Sequence, residues 1–79
     1  MAVKNIAILG STGSIGINTL KVIERFPRQF MVAALTAYNN LKLIQEQTER
    51  FSPRYVAVNA AGVGYLKRHF SSGKTVILD

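Results

Sequence analysis

Ile6-Ala7-Ile8-Leu9-Gly10-Ser11-Thr12-Gly13-Ser14-Ile15-Gly16 joins a short apolar run to glycines at spacing three, and a helical stretch opens at Ser14. A pyrophosphate brings negative charge close to the backbone, and a helix amino terminus answers it with unpaired N–H groups and the positive end of its dipole. Gly10 permits a tight exit from a strand, Gly13 removes a side chain where phosphates approach, and Gly16 lets the helix pack against the sheet. Ser11, Thr12 and Ser14 add hydroxyl donors. The spacing is Gly-x-x-Gly-x-x-Gly, a variant of Gly-x-Gly-x-x-Gly that recurs in several NADP-using groups. Its place directly after a strand and directly before an amphipathic helix is the context that a dinucleotide-binding turn requires. The bland alternative is a glycine-rich structural turn without a ligand.

Along the chain, β-like runs alternate with helix-like stretches. The first strand is expected over 5–9 and the first helix over 14–26, where Leu20, Ile23 and Phe26 share a face. Pro27 stops that helix, because the residue before a proline is pushed out of the α region. The second strand, 30–37, is nearly all apolar and reads as a central strand covered on both faces. Asn39 or Asn40 can cap a helix over 41–51 with Ile44, Thr48 and Phe51 on one side. Ser52-Pro53 is a stop, and Tyr55-Val56-Ala57-Val58 is a third strand. A weaker helix over 60–70 carries Val63, Leu66 and Phe70, with Gly62 and Gly64 lowering its propensity. Ser71-Ser72-Gly73 breaks it, and Thr75-Val76-Ile77-Leu78 is a fourth strand.

This alternation with short connections predicts an α/β, Rossmann-like doubly wound parallel sheet, partial, with about four strands and three helices. The expected strand order is 3-2-1-4, which sets a ligand crevice at the carboxyl ends of the first and fourth strands. The chain stops just past that switch, so residues 1–79 are expected to be the N-terminal part of an NADP-binding Rossmann domain, with a fourth strand whose edge is unprotected.

Composition narrows the partners. No apolar run is long enough to cross a bilayer, Met1-Ala2-Val3-Lys4 leads straight into a strand, and there is no cysteine, so the expectation is a cytoplasmic chain without membrane contact. The net charge of +6 raises nucleic acid as a partner. Against it, the cations are scattered from Lys4 to Lys74, only Lys67-Arg68 are adjacent, and no aromatic residues interleave with them. Anionic small molecules fit that distribution better than nucleic acid.

Cofactor choice is read at the end of the second strand. NAD-binding domains usually place an acid there, and Thr36-Ala37-Tyr38-Asn39-Asn40 has none, which favours NADP. Amides of Asn39 and Asn40 can reach a phosphate, and Tyr38 can lie against adenine. Helix capping is the competing role for the asparagines. His69 has no partnered carboxylate and reads as a surface or packing residue. Glu46 and Glu49 read as a solvated face. No base, nucleophile and orienting group stand together, so no catalytic and no metal residue is assigned.

Lys4 to Leu9 followed by Gly-Ser-Thr-Gly-Ser-Ile-Gly resembles the opening of the 1-deoxy-D-xylulose 5-phosphate reductoisomerase family. Thr19 to Ile23, Phe26-Pro27 with Phe30, Val32 to Leu35, and Phe51-Ser52-Pro53-Arg54-Tyr55-Val56-Ala57-Val58 look like that family in order and spacing. The resemblance weakens after Asn59. It implies an NADPH-dependent parent enzyme that isomerises and reduces deoxyxylulose phosphate to 2-C-methyl-D-erythritol 4-phosphate in non-mevalonate isoprenoid synthesis. It also implies a divalent metal, Mg²⁺ or Mn²⁺, and a homodimeric parent. By the same resemblance Thr12, Gly13, Ser14, Ile15 and Asn40 contact the cofactor, and Asn39 is assigned beside them. Tyr38 and Asn39 stand where the family commonly has Gly and then Lys or Arg. The metal carboxylates and the catalytic and C-terminal domains are expected outside these residues, leaving this stretch inactive alone. The competing readings are another NADP-dependent dehydrogenase with the same turn and a small basic module for RNA or acidic partners.

Overall fold

A computed structural model describes residues 3–70 and 73–79. The elements follow the order β1 (Lys4–Ile8), α1 (Ser14–Arg25), β2 (Phe30–Thr36), α2 (Leu41–Phe51), β3 (Tyr55–Ala57), α3 (Ala60–His69) and β4 (Val76–Leu78). Met1, Ala2 and the break expected at Ser71-Ser72 lie outside the described residues. Among those described, no helix is long and apolar enough to cross a membrane.

The strands form one parallel sheet, and a single row of side chains explains its core. Ile8, Leu35, Val56 and Ile77 stand in register across the four strands, all buried under the helices. Leu20 and Ile23 of α1, Ile44 of α2 and Leu66 of α3 close over that row, each contributing about 1.5–3 kcal/mol by leaving water. An irregularity between Ile6 and Ala7 skips Ala33 in the pairing. It lets Val32 and Leu35, three residues apart, both face the helices where strict alternation would turn one away.

Helix ends follow local chemistry. Asn40 Oδ1 accepts from the Leu43 N–H at 3.2 Å, and Asn59 Oδ1 accepts from the Gly62 N–H at 2.9 Å, so α2 and α3 are both capped by side chains. Ser52, at φ 46°, closes α2 by donating its N–H to Thr48 O, and the buried Pro53 prevents further helix.

The strand order is β1-β2-β3-β4. The expected 3-2-1-4 is therefore corrected, for β4 lies beside β3 and not beyond β1. The cause is local to the last crossover. Val63, Leu66 and Phe70 pack α3 into the helix layer beside α2, where the Tyr65 hydroxyl donates to Gln45 Oε1 at 2.7 Å. Val76 then donates its N–H to Arg54 O at 2.8 Å, and the Thr75 hydroxyl donates to Pro53 O at 2.6 Å, fastening the start of β4 to the start of β3. Reaching the far side of β1 would have required α3 to leave that layer and cross the opposite face.

With this order the described helices cover one face of the sheet. The other face carries Ala7, Ala34, Tyr55 and Val76 in register, flanked by Met31 and Leu78. Met31 is 56% exposed, so the second face of β2 is not covered as its apolar sequence predicts. β4 has an open edge as expected, and β1 has one too.

Candidate functional site

The carboxyl ends of the parallel strands and the amino ends of the helices meet on one rim, and the glycine turn lies there. Gly10, at φ 72°, adopts the left-handed conformation that its lack of a Cβ makes inexpensive. Gly13 donates its N–H to Gly10 O at 3.1 Å and becomes the cap residue of α1, with no side-chain hydrogen bond to that cap. The first helical acceptor bond is Ile17 N–H to Gly13 O at 2.9 Å. The N–H groups of Ser14, Ile15 and Gly16 therefore have no partner within the helix. α1 differs from α2 and α3, where an asparagine Oδ1 occupies the third of these groups, the N–H of Leu43 and of Gly62.

A Cβ added at Gly13 would meet only Gly10 O, at an ordinary 3.5 Å, and would otherwise project into open space. The cradle thus fits a phosphate-bearing ligand. Gly16 serves a different purpose, because a Cβ there would come within 2.5 Å of Gly10 O and 2.6 Å of Ser11 Cα. It packs the helix against the turn, where the sequence had pointed to the sheet.

Among the sequence-selected residues, Thr12 is half-buried and Gly13, Ser14 and Ile15 are exposed, Ile15 at 84%. Asn39 and Asn40 are exposed at the start of α2, beyond the end of the neighbouring strand. Asn40 spends its carbonyl on the helix cap and keeps its two amide hydrogens for another partner. Tyr38 is 72% exposed. No acidic residue occupies the first turn of any of the three helices, so the rim favours anions.

The crevice expected between β1 and β4 is absent, because two strands separate them. Instead a cleft of about 420 Å³ runs along the ends of β1, β2 and β3, lined by Gly10, Thr36, Ala37, Tyr38, Ala57, Val58 and Asn59. Among the described residues no three His, Cys, Asp or Glu side chains gather as metal ligands would. His69 packs against Tyr65 with the rings tilted by 39° and their centroids 4.7 Å apart, at the other end of α3.

Sequence reasoning missed how the turn is held. Ser11, expected as a ligand donor, is wholly buried, and its hydroxyl donates inward to Gln47 Oε1 at 2.7 Å. Gln47 Nε2 donates to Ser11 O at 2.8 Å, closing a two-bond clasp. Thr36 holds the other side: its Oγ1 accepts from Gly10 N–H and its carbonyl from Ser11 N–H, both at 2.8 Å. The signal for Gln47 was present, since a glutamine inside the apolar stripe of Ile44, Thr48 and Phe51 needs buried partners.

The family model for 1-deoxy-D-xylulose 5-phosphate reductoisomerase matches residues 6–77. A reductoisomerase of that name from Citrifermentans bemidjiense is 57% identical over 58 residues, which are 73% of this chain and 15% of that protein. Its counterpart from Geotalea uraniireducens is 48% identical over 71 residues, 90% of this chain and 18% of that protein. The chain thus spans under a fifth of the length of these curated relatives. Among solved structures, the Zymomonas mobilis enzyme in complex with NADPH superposes with a TM-score of 0.90 at 28% identity, covering 98% of this chain and 21% of that one. A reductoisomerase bound to NADPH, fosmidomycin and magnesium gives 0.90 at 28% identity, with 96% and 19% covered. The chain belongs to the 1-deoxy-D-xylulose 5-phosphate reductoisomerase family and is related to that enzyme's NADPH-binding domain.

Proposed function

We propose that residues 1–79 are the N-terminal part of an NADP-binding domain in an enzyme that isomerises and reduces deoxyxylulose phosphate to 2-C-methyl-D-erythritol 4-phosphate. The observation that carries this is the uncapped amino end of α1 over open space at Gly13, in a chain of this family. The N–H groups of Ser14 and Ile15 and the hydroxyls of Thr12 and Ser14 receive the pyrophosphate. Gly13 admits its close approach. Asn39 and the free amide hydrogens of Asn40 receive the 2′-phosphate, and Tyr38 lies against the adenine over the cleft. When bound, NADPH supplies a hydride. The divalent metal, the phosphorylated sugar and the residues that act on them belong to other parts of the longer protein, a homodimer working in the cytoplasm. This stretch by itself holds one half of the cofactor and is inactive.

A calorimetric titration of the 79-residue chain with NADPH, NADH and a short single-stranded RNA tests the reading. NADPH should bind, more tightly than NADH and with no turnover. An RNA response without an NADPH response would replace this reading with a basic RNA-binding module.

A further inference from the structure

The clasp between Ser11 and Gln47 has a consequence beyond stability. A turn with Gly10 at φ 72° and Gly13 three residues on has many conformations open to it. Ordering such a turn on binding costs affinity, so a phosphate site gains when the turn is ordered beforehand. Ser11 lies between those glycines, and both its hydroxyl and its carbonyl are engaged by the one amide of Gln47. The carbonyl requires a donor, which settles the orientation of that amide with Nε2 toward Ser11 O. An apolar residue at 47 would serve the helix stripe as well and leave Ser11 held from the Thr36 side alone, where its N–H donates to Thr36 O at 2.8 Å and its hydroxyl at 3.3 Å. Gln47 is 7% exposed, so its partners decide its worth. It stands seven residues beyond Asn40, two turns along the same helix, about 10 Å of rigid rod.

We propose that Gln47 is a positioning residue for the phosphate turn: it sets Ser11, and through it the amides of Ser14 and Ile15, in the geometry that receives a diphosphate. This rests on the reading of the turn as a dinucleotide site.

The test compares the 79-residue chain with Gln47→Leu, Ser11→Ala and the control Glu49→Gln, exposed on the same helix, by amide hydrogen exchange and by nucleotide titrations followed by NMR. In Gln47→Leu, amide exchange at Ser11 and Gly13 should accelerate about tenfold relative to Leu35 and Val56, which are in the sheet core. Dissociation constants for NADPH and ADP should rise about tenfold, while that for adenosine 2′-phosphate, which has no diphosphate, stays unchanged. Ser11→Ala removes the hydroxyl bond to Gln47 Oε1, keeps the bond from Gln47 Nε2 to the carbonyl at 11, and should fall between. It also carries the test if Gln47→Leu fails to fold. Unchanged exchange at the turn, or equal weakening of all three nucleotides, would overturn the proposal. If the unmutated chain gives no response to NADPH, the cofactor reading falls, and exchange at Ser11 and Gly13 still decides whether Gln47 orders the turn.

Discussion

Gly13 and Gly16 are three residues apart in one motif, yet their surroundings assign them opposite sensitivities. A methyl group at Gly16 would drive into Gly10 O and Ser11 Cα, both backbone atoms that cannot yield cheaply. Gly16→Ala should therefore destabilise the chain by roughly 2–4 kcal/mol, read from urea melts. At Gly13 φ is −80° and the added methyl meets one atom at van der Waals distance, so alanine fits the backbone. Gly13→Ala should leave the melt within about 0.5 kcal/mol of the parent chain and weaken NADPH about tenfold, because the methyl fills phosphate space. Loss of stability at Gly13 without loss of affinity would mean that the turn is structural. The salt bridge between Arg50 and Glu24 is well placed at 2.8 Å but exposed on both sides, and at about 0–1 kcal/mol it decides little.

Helix α2 combines two duties that a substitution can separate. Its amino end is stabilised by Asn40 Oδ1, and the same residue offers its amide hydrogens to the proposed 2′-phosphate. Asn40→Asp keeps the oxygen that caps the helix and adds a negative charge favourable at that terminus. The thermal melt should stay within about 0.5 kcal/mol of the original or improve slightly. NADPH affinity should fall at least about tenfold, because a carboxylate repels the 2′-phosphate and donates nothing to it, while NADH affinity changes less. Equal losses for NADPH and NADH would assign the 2′ end elsewhere. Farther along, Gln47 clasps the turn and Thr48 returns its hydroxyl to Ile44 O at 2.7 Å, so the buried polar groups of α2 are satisfied.

At the scale of the whole molecule, one layer of helices on one face of a four-stranded sheet leaves apolar surface in water. Ala7, Ala34, Tyr55 and Val76 form a continuous row there, and Met31 and Leu78 extend it. A chain of 79 residues buries only roughly 60% of its unfolded surface, so it has little stability to offset that exposure. The isolated chain should self-associate through this face and through the open β1 and β4 edges, giving a sedimentation mass above 8.7 kDa. Tyr55→Lys, which places a charge in mid-row, should shift the distribution toward monomer. A monomer for the parent chain at high protein concentration would count against an adhesive face.

The seven elements, their ends within a residue or so, and the turn at Gly10 to Gly16 were legible in the sequence because each rests on short-range chemistry. Glycine supplies a positive φ, asparagine caps a helix, proline stops one, and apolar spacing marks the face that packs. Family membership was legible for the same reason, in the runs around the turn and at Phe51 to Val58. The remainder concerns neighbours distant in the chain, which packing alone brings together. Ser11 turned inward because Gln47, 36 residues later, meets it in the core. β4 joined β3 because α3 found its apolar contacts beside α2, and a pattern of apolar residues specifies that a face is buried without specifying against which neighbour.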